Sequence, residues 1–155
     1  MQYDFGAVVE RNIPTNHKYV NKITKYSRAA FEKLNDVDWQ WNDKGGKFYN
    51  MGLMLLNKSF KNYLNGLTAK EFIHQPKYKD LVDGLGYYKW STDQIMMNYF
   101  VKKENLKIKD LDWKWNGLYT AVPKDKIKES YFVHFFLRDK LPGRGENIEE
   151  LAKKI

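Results

Sequence analysis

A chain of 155 residues, 43% hydrophobic and 30% charged, fits one domain with one core and excludes whole-chain disorder. It has no cysteine, which excludes a disulfide framework and any thiolate metal site, so a metal would have to be held by oxygen and imidazole, as Mg²⁺ or Mn²⁺ would be. The excess of 27 basic over 19 acidic residues, a net +8, favours phosphate-bearing partners such as nucleotides, nucleic acid or anionic lipid headgroups without choosing among them.

Met1 to Gly6 carries no basic region ahead of an apolar core, and no apolar run approaches the roughly eighteen residues of a membrane span. A soluble, cytoplasmic chain is expected. Five Trp, eleven Tyr and nine Phe exceed the usual need of a core this size, so some rings are expected at a binding surface.

In chain order, Phe5 to Val9 reads as a buried strand ended by Glu10 and Arg11. Pro14 to Asn16 supplies a turn, and His17 to Leu34 has helical spacing with lysines between its apolar positions. Asp36 and Asp38, one residue apart, have the spacing of a cation chelate, but with no strand beneath them they read as a surface turn. After the turn at 42–46, the run from Phe48 to Asn57 is the most apolar of the first half; Gly52 within it implies close approach by another element or a ligand. Asn50 and Asn57 bracket that run.

Ser59 to Leu85 reads as interrupted helical pieces, with a capping box at Thr68 to Glu71. Ser91 to Gln94 opens a further helix, ending near Lys103, that places the acid Asp93 and the amide Gln94 at its N-terminal end. Leu106 to Leu111 alternates like an edge strand guarded by lysines. Trp113 to Tyr119 is an aromatic loop in which Trp115 and Asn116 suit a sugar ring or a base. Lys124 to Ser130 is a short turn or helix and Asn147 to Lys154 a terminal amphipathic helix.

Between these last two lies Tyr131 to Lys140, apolar on both strand faces and thus expected as a central, covered strand carrying His134 toward Arg138 and Lys140. The fold expected is α/β, a small mixed sheet from the runs near 5–9, 50–56, 106–109 and 131–136 with helices packed around it.

Three blocks carry a family resemblance: Tyr49-Asn-Met-Gly-Leu-Met-Leu-Leu-Asn57, Thr92-Asp-Gln-Ile-Met-Met-Asn98 and Phe132-Val-His-Phe-Phe-Leu-Arg-Asp-Lys-Leu-Pro142. In order and spacing they resemble the aromatic-Asn-x-Gly strand, the Asp-Gln helix start and the His-x-x-Gly-x-x-Lys-Pro segment of the glycosyltransferase family 8 and glycogenin-like enzymes. Leu137 stands where that family has glycine, and Leu141 separates Lys140 from Pro142.

The resemblance implies the C-terminal, acceptor-side part of a GT-A nucleotide-diphosphosugar transferase, with the nucleotide-binding strands and their Asp-x-Asp preceding Met1. Residues 1–155 would then be one partial domain, completed by a separate N-terminal half or by homo-oligomerisation. The implied activity is metal-dependent, retaining transfer of a hexosyl group from a nucleotide-diphosphosugar to a glycan, lipid or protein acceptor. By the same resemblance His134 would ligate Mn²⁺ or Mg²⁺ and Lys140 would contact the donor diphosphate. Asn50 and Gly52 would lie beside the donor sugar, and Asp93 and Gln94 near the anomeric carbon. The alternative is a non-catalytic basic and aromatic module that binds nucleic acid or an anionic glycan.

Overall fold

The computed structural model describes residues 3–14, 47–84, 92–119, 121–135 and 148–153. Its centre is β1 (Phe5–Val9), buried at every position. β2 (Tyr49–Leu56) pairs with it antiparallel, and β3 (Ile108–Leu111) pairs parallel on the opposite side. The sheet is therefore mixed, in the order β2-β1-β3. Alternation along β1 supplies two cores: Phe5, Ala7 and Val9 belong to the larger, while Val8 belongs to the smaller with Ile13, Leu118, Val122 and Ile127.

Short helical pieces follow β2, as the interrupted pattern predicts: α1 (Lys61–Leu64), α2 (Ala69–Ile73) and α3 (Lys79–Gly84). Asn65 and Gly66 stop α1 with φ of 48° and 75°, conformations that asparagine and glycine tolerate best. The capping box at α2 is present: the Glu71 N–H donates to the Thr68 hydroxyl, and the Thr68 N–H donates to the Glu71 carboxylate at 2.8 Å.

The long helix α4 (Thr92–Lys103) buries Ile95, Tyr99, Phe100 and Val101 in the larger core. It ends in a Schellman arrangement with Asn105 left-handed at φ 50°, where the Leu106 N–H donates to the Val101 carbonyl and the Asn105 N–H to that of Lys102. The chain then turns into β3. Asp4 fastens this corner, because its carboxylate accepts from the Lys107 N–H, the Ser59 hydroxyl and the Tyr63 hydroxyl, each at 3.1 Å. The Lys107 N–H, ahead of the two hydroxyls, holds the Asp4 carboxyl below its usual 3.8.

A second, smaller pairing sits beside the sheet: β4 (Gly117–Leu118) runs parallel to β5 (Val133–His134). The chain between them includes α5 (Lys124–Ile127), and α6 (Ile148–Ala152) is the last described helix. No helix among the described residues is long and apolar enough to cross a membrane.

The run around His134 departs from the expectation of a central, covered strand. It contributes two residues to a two-stranded pair, with Tyr131 65% and Phe132 51% exposed. Apolarity on both faces is satisfied here by rings covering one another rather than by layers on either side of a sheet. The helix expected at 17–34, the acidic pair Asp36 and Asp38, the turn at 42–46 and Ser91 lie outside the described residues.

Candidate functional site

The pairing of β1 with β2 is interrupted where the site forms. Val8 is opposite Asn50 and Ala7 is opposite Met54, so Met51, Gly52 and Leu53 have no partner on β1 and bulge from the ladder. The Asn50 side chain closes this bulge by accepting the Gly52 N–H at 2.9 Å. Asn116 donates to the same Asn50 oxygen at 2.5 Å, and both amides are almost fully buried.

Asn116 reaches this position from a tight helical turn, Trp113–Asn116, whose start is capped by Asp112 accepting the Lys114 N–H at 2.9 Å. His134 arrives on β5. A Cβ built on Gly52 would overlap the His134 imidazole at Nδ1 and Cε1 and come 3.1 Å from Asn116 Oδ1. Gly52 is thus glycine because an imidazole lies against the backbone there. Of the two approaches its sequence context allows, the structure shows another element.

Three segments far apart in sequence therefore deliver Asn50, Gly52, Asn116 and His134 to one place. Burial holds the His134 imidazole below its ordinary 6.5, so it is neutral near pH 7 and able to accept a proton or ligate a cation through nitrogen. The linkage follows. The unfolded chain binds this proton more readily, so the contribution to stability is full above 6.5 and is lost as pH falls below it toward the folded value. The urea midpoint is expected to drop between about pH 7 and about pH 5, and His134→Gln is expected to flatten that drop. Equal slopes in the two proteins would show that another group titrates there.

The remaining expected site residues are placed differently. Asp93 and Gln94 belong to the first turn of α4. That helix is fixed to β2 one turn further along, where Asn98 accepts the Tyr49 N–H at 2.7 Å and donates to the Tyr49 and Gln94 carbonyls at 2.8 Å each. The Asp-Gln pair is thereby tied to the strand residue preceding Asn50. Trp115 is half-buried between two rings, stacked on Phe132 at 5.9 Å and edge-on to Tyr131 at 5.5 Å, so Tyr131 and Phe132 form the exposed surface. Lys140 lies outside the described residues.

One residue carries more of the site than its sequence context signals. Asn98 reads as an ordinary helix position, although an asparagine inside a helix is a weak helix former and hints at a side-chain bond.

Comparison of the chain with protein-family models, with curated proteins and with solved structures finds no match. Among the described residues no three His, Cys, Asp or Glu side chains come together as a cation cage. The cluster offers one imidazole and two amides, which fits a single metal ligand and not a complete set of donors.

Proposed function

We propose that this chain is the acceptor-side part of a glycosyltransferase of the GT-A type, transferring a hexosyl group from a nucleotide-diphosphosugar with retention. The observation that carries this reading is the convergence of Asn50, Gly52, Asn116 and His134, contributed by two of the three blocks that resemble family 8 together with the aromatic loop. The third block, Thr92 to Asn98, is bound to the same strand through its last residue, Asn98.

The chemistry suits the residues. The Asn50–Asn116 bond holds two almost fully buried amides beside Gly52, so their part would be to fix the shape of the wall against which the donor sugar lies. An amide and a carboxylate at the start of α4 would orient the sugar and steady an oxocarbenium-like centre. Lys140 would offset charge developing on the departing diphosphate. Mn²⁺ or Mg²⁺, if bound, would supply further electrostatic stabilisation there; His134 would be one ligand, with the others coming from the donor phosphates and from carboxylates of another segment. A cytoplasmic setting and a completing N-terminal half belong to the same proposal.

Calorimetric titration with UDP and with GDP, each with and without Mn²⁺, tests it. Metal-dependent binding is expected, weakened at least about tenfold by His134→Ala in a variant that remains folded. No binding of either nucleotide, or equal binding by the folded variant, would overturn the assignment. Binding of nucleic acid that needs no metal and weakens steeply with salt would instead favour the basic binding module.

A further inference from the structure

One end of the three-stranded sheet gathers exposed apolar side chains. The strands are tied together there by backbone bonds: the Asn57 N–H donates to the Asp4 carbonyl at 3.0 Å, and the Asp4 N–H donates to the Lys107 carbonyl at 2.8 Å. Tyr3 is held at the same end, its carbonyl accepting from the Asn57 side-chain amide at 3.0 Å. β2, buried from Tyr49 to Met51, is exposed here at Met54, Leu55 and Leu56, the last to 53%, and Tyr3 is exposed as well. Leu55 is opposite Gly6 and Gly6 is opposite Lys109, so Leu55 and Lys109 share a face with no side chain between them. The Lys109 ammonium lies 5.6 Å from the centre of the Tyr3 ring.

Lysines surround these apolar groups. Lys58 and Lys61 follow β2, Lys107 leads into β3 and Lys109 lies within it, and all four are exposed. Lys58, Lys61 and Lys109 form no ion pair among the described residues. The carboxylate at this corner, Asp4, is turned to the Lys107 N–H and to the Ser59 and Tyr63 hydroxyls. Glu104 and Asp110, which flank Lys107 and Lys109 in sequence, are paired with Lys77 and Lys47, each at 2.5 Å. Asp4 therefore stands against four lysines.

We propose that this end of the sheet docks on an anionic membrane surface, with Tyr3, Met54, Leu55 and Leu56 entering the headgroup boundary and the four lysines meeting lipid phosphates and carboxylates. Apolar side chains gain by leaving water for the acyl boundary, and lysine stems can lie along them while the ammonium groups stay at headgroup level. Each lysine near an anionic leaflet adds to the attraction.

Charge and shape favour this occupant. A second copy on the same face would set its four lysines against these four, a like-charge contact. Single-stranded nucleic acid draws on flat side chains that stack on bases, whereas three of the four apolar groups here are aliphatic. A neutral protein partner would leave the lysines without countercharge. The surface needs neither nucleotide nor metal and does not rest on the transferase reading.

The test is flotation of the whole chain with vesicles of phosphatidylcholine alone and of phosphatidylcholine with about 30% phosphatidylserine, in about 0.1 M salt. Binding to the anionic vesicles is expected to be at least about tenfold tighter, and that preference should vanish near 0.5 M salt, at roughly a third of the screening length. Leu55→Ser with Leu56→Ser, and separately Lys58→Gln with Lys61→Gln, should each weaken it at least about tenfold. Unchanged circular dichroism is expected in both because these side chains are exposed. Should the leucine pair fail to fold, the lysine pair still decides the outcome.

Equal binding to the two kinds of vesicle, or parental binding by the folded lysine pair, would overturn the proposal. So would a dimer in sedimentation velocity that Leu55→Ser with Leu56→Ser dissolves, which would give the face to a second copy. Binding of poly(U) in place of vesicles, lost with the lysines and indifferent to the leucines, would give it to nucleic acid.

Discussion

Replacing Asn98 by alanine is expected to be the most damaging single change among the described residues, lowering stability by about 3 kcal/mol. Asn98 is 1% exposed and makes three bonds of 2.7 to 2.8 Å, two of them to the N–H and carbonyl of Tyr49. An amide presents a donor and an acceptor side by side, as a neighbouring strand would, so the side chain stands in for one. Alanine removes both partners and strands two buried backbone groups, and each such loss costs roughly 1–3 kcal/mol. Asn98→Asp should do nearly as badly, because a carboxylate keeps the bond from the Tyr49 N–H but faces the Tyr49 and Gln94 carbonyls with no proton to give. Urea unfolding at constant slope measures this directly. A loss under about 1 kcal/mol in the alanine variant would mean that water replaces the amide, and α4 would not be clamped as described.

The second large effect is expected at Gly52. Alanine there places a methyl group inside the His134 imidazole and crowds Asn116. Overpacking of this kind typically costs about 1–3 kcal/mol. The ring is a side chain and can swing away, so the outcome should be eviction of His134 more than collapse of the fold. Eviction has its own signature. Burial is what depresses the His134 titration, so in the variant the imidazole Hε1 resonance should titrate closer to the ordinary 6.5. Nucleotide binding, where His134 is proposed to act, should weaken with it. An unchanged depressed titration in folded Gly52→Ala would show that the backbone yields and the ring stays.

How much of this was legible in the sequence depends on the range of the interaction. Local patterns were readable: the buried run of β1, the box joining Thr68 and Glu71, the broken helices after β2, and β3 as an edge carrying Lys109. Close approach at Gly52 was also readable, because a glycine inside an apolar strand has few other reasons to be there. The identity of the visitor was not, since nothing local links position 52 to position 134. The Asn50–Asn116 contact was hidden in the same way, although each residue could be singled out alone.

The strand at Tyr131 to His134 misled for a different reason. A run apolar on both faces is compatible with two covering layers and also with rings that stack on one another at a surface, and periodicity is the same in either case. Trp115 settles the matter at this site by covering Phe132 from a separate loop. Asn98 was illegible because its partners are backbone groups, which every sequence possesses.

The pairing of Phe5 with Ile108 has a consequence for the order of events during folding. Joining β1 to β3 closes a loop of most of the chain, and Asn50, Asn116 and His134 likewise meet only across long separations. Such contacts carry the largest closure entropy and limit folding speed, whereas α2 and its capping box need only their immediate neighbours. The helices can therefore exist before the cluster does. A partly folded chain would show helical circular dichroism and yet hold no assembled pocket, so the emergence of ligand binding would report the final step of folding rather than the collapse that precedes it.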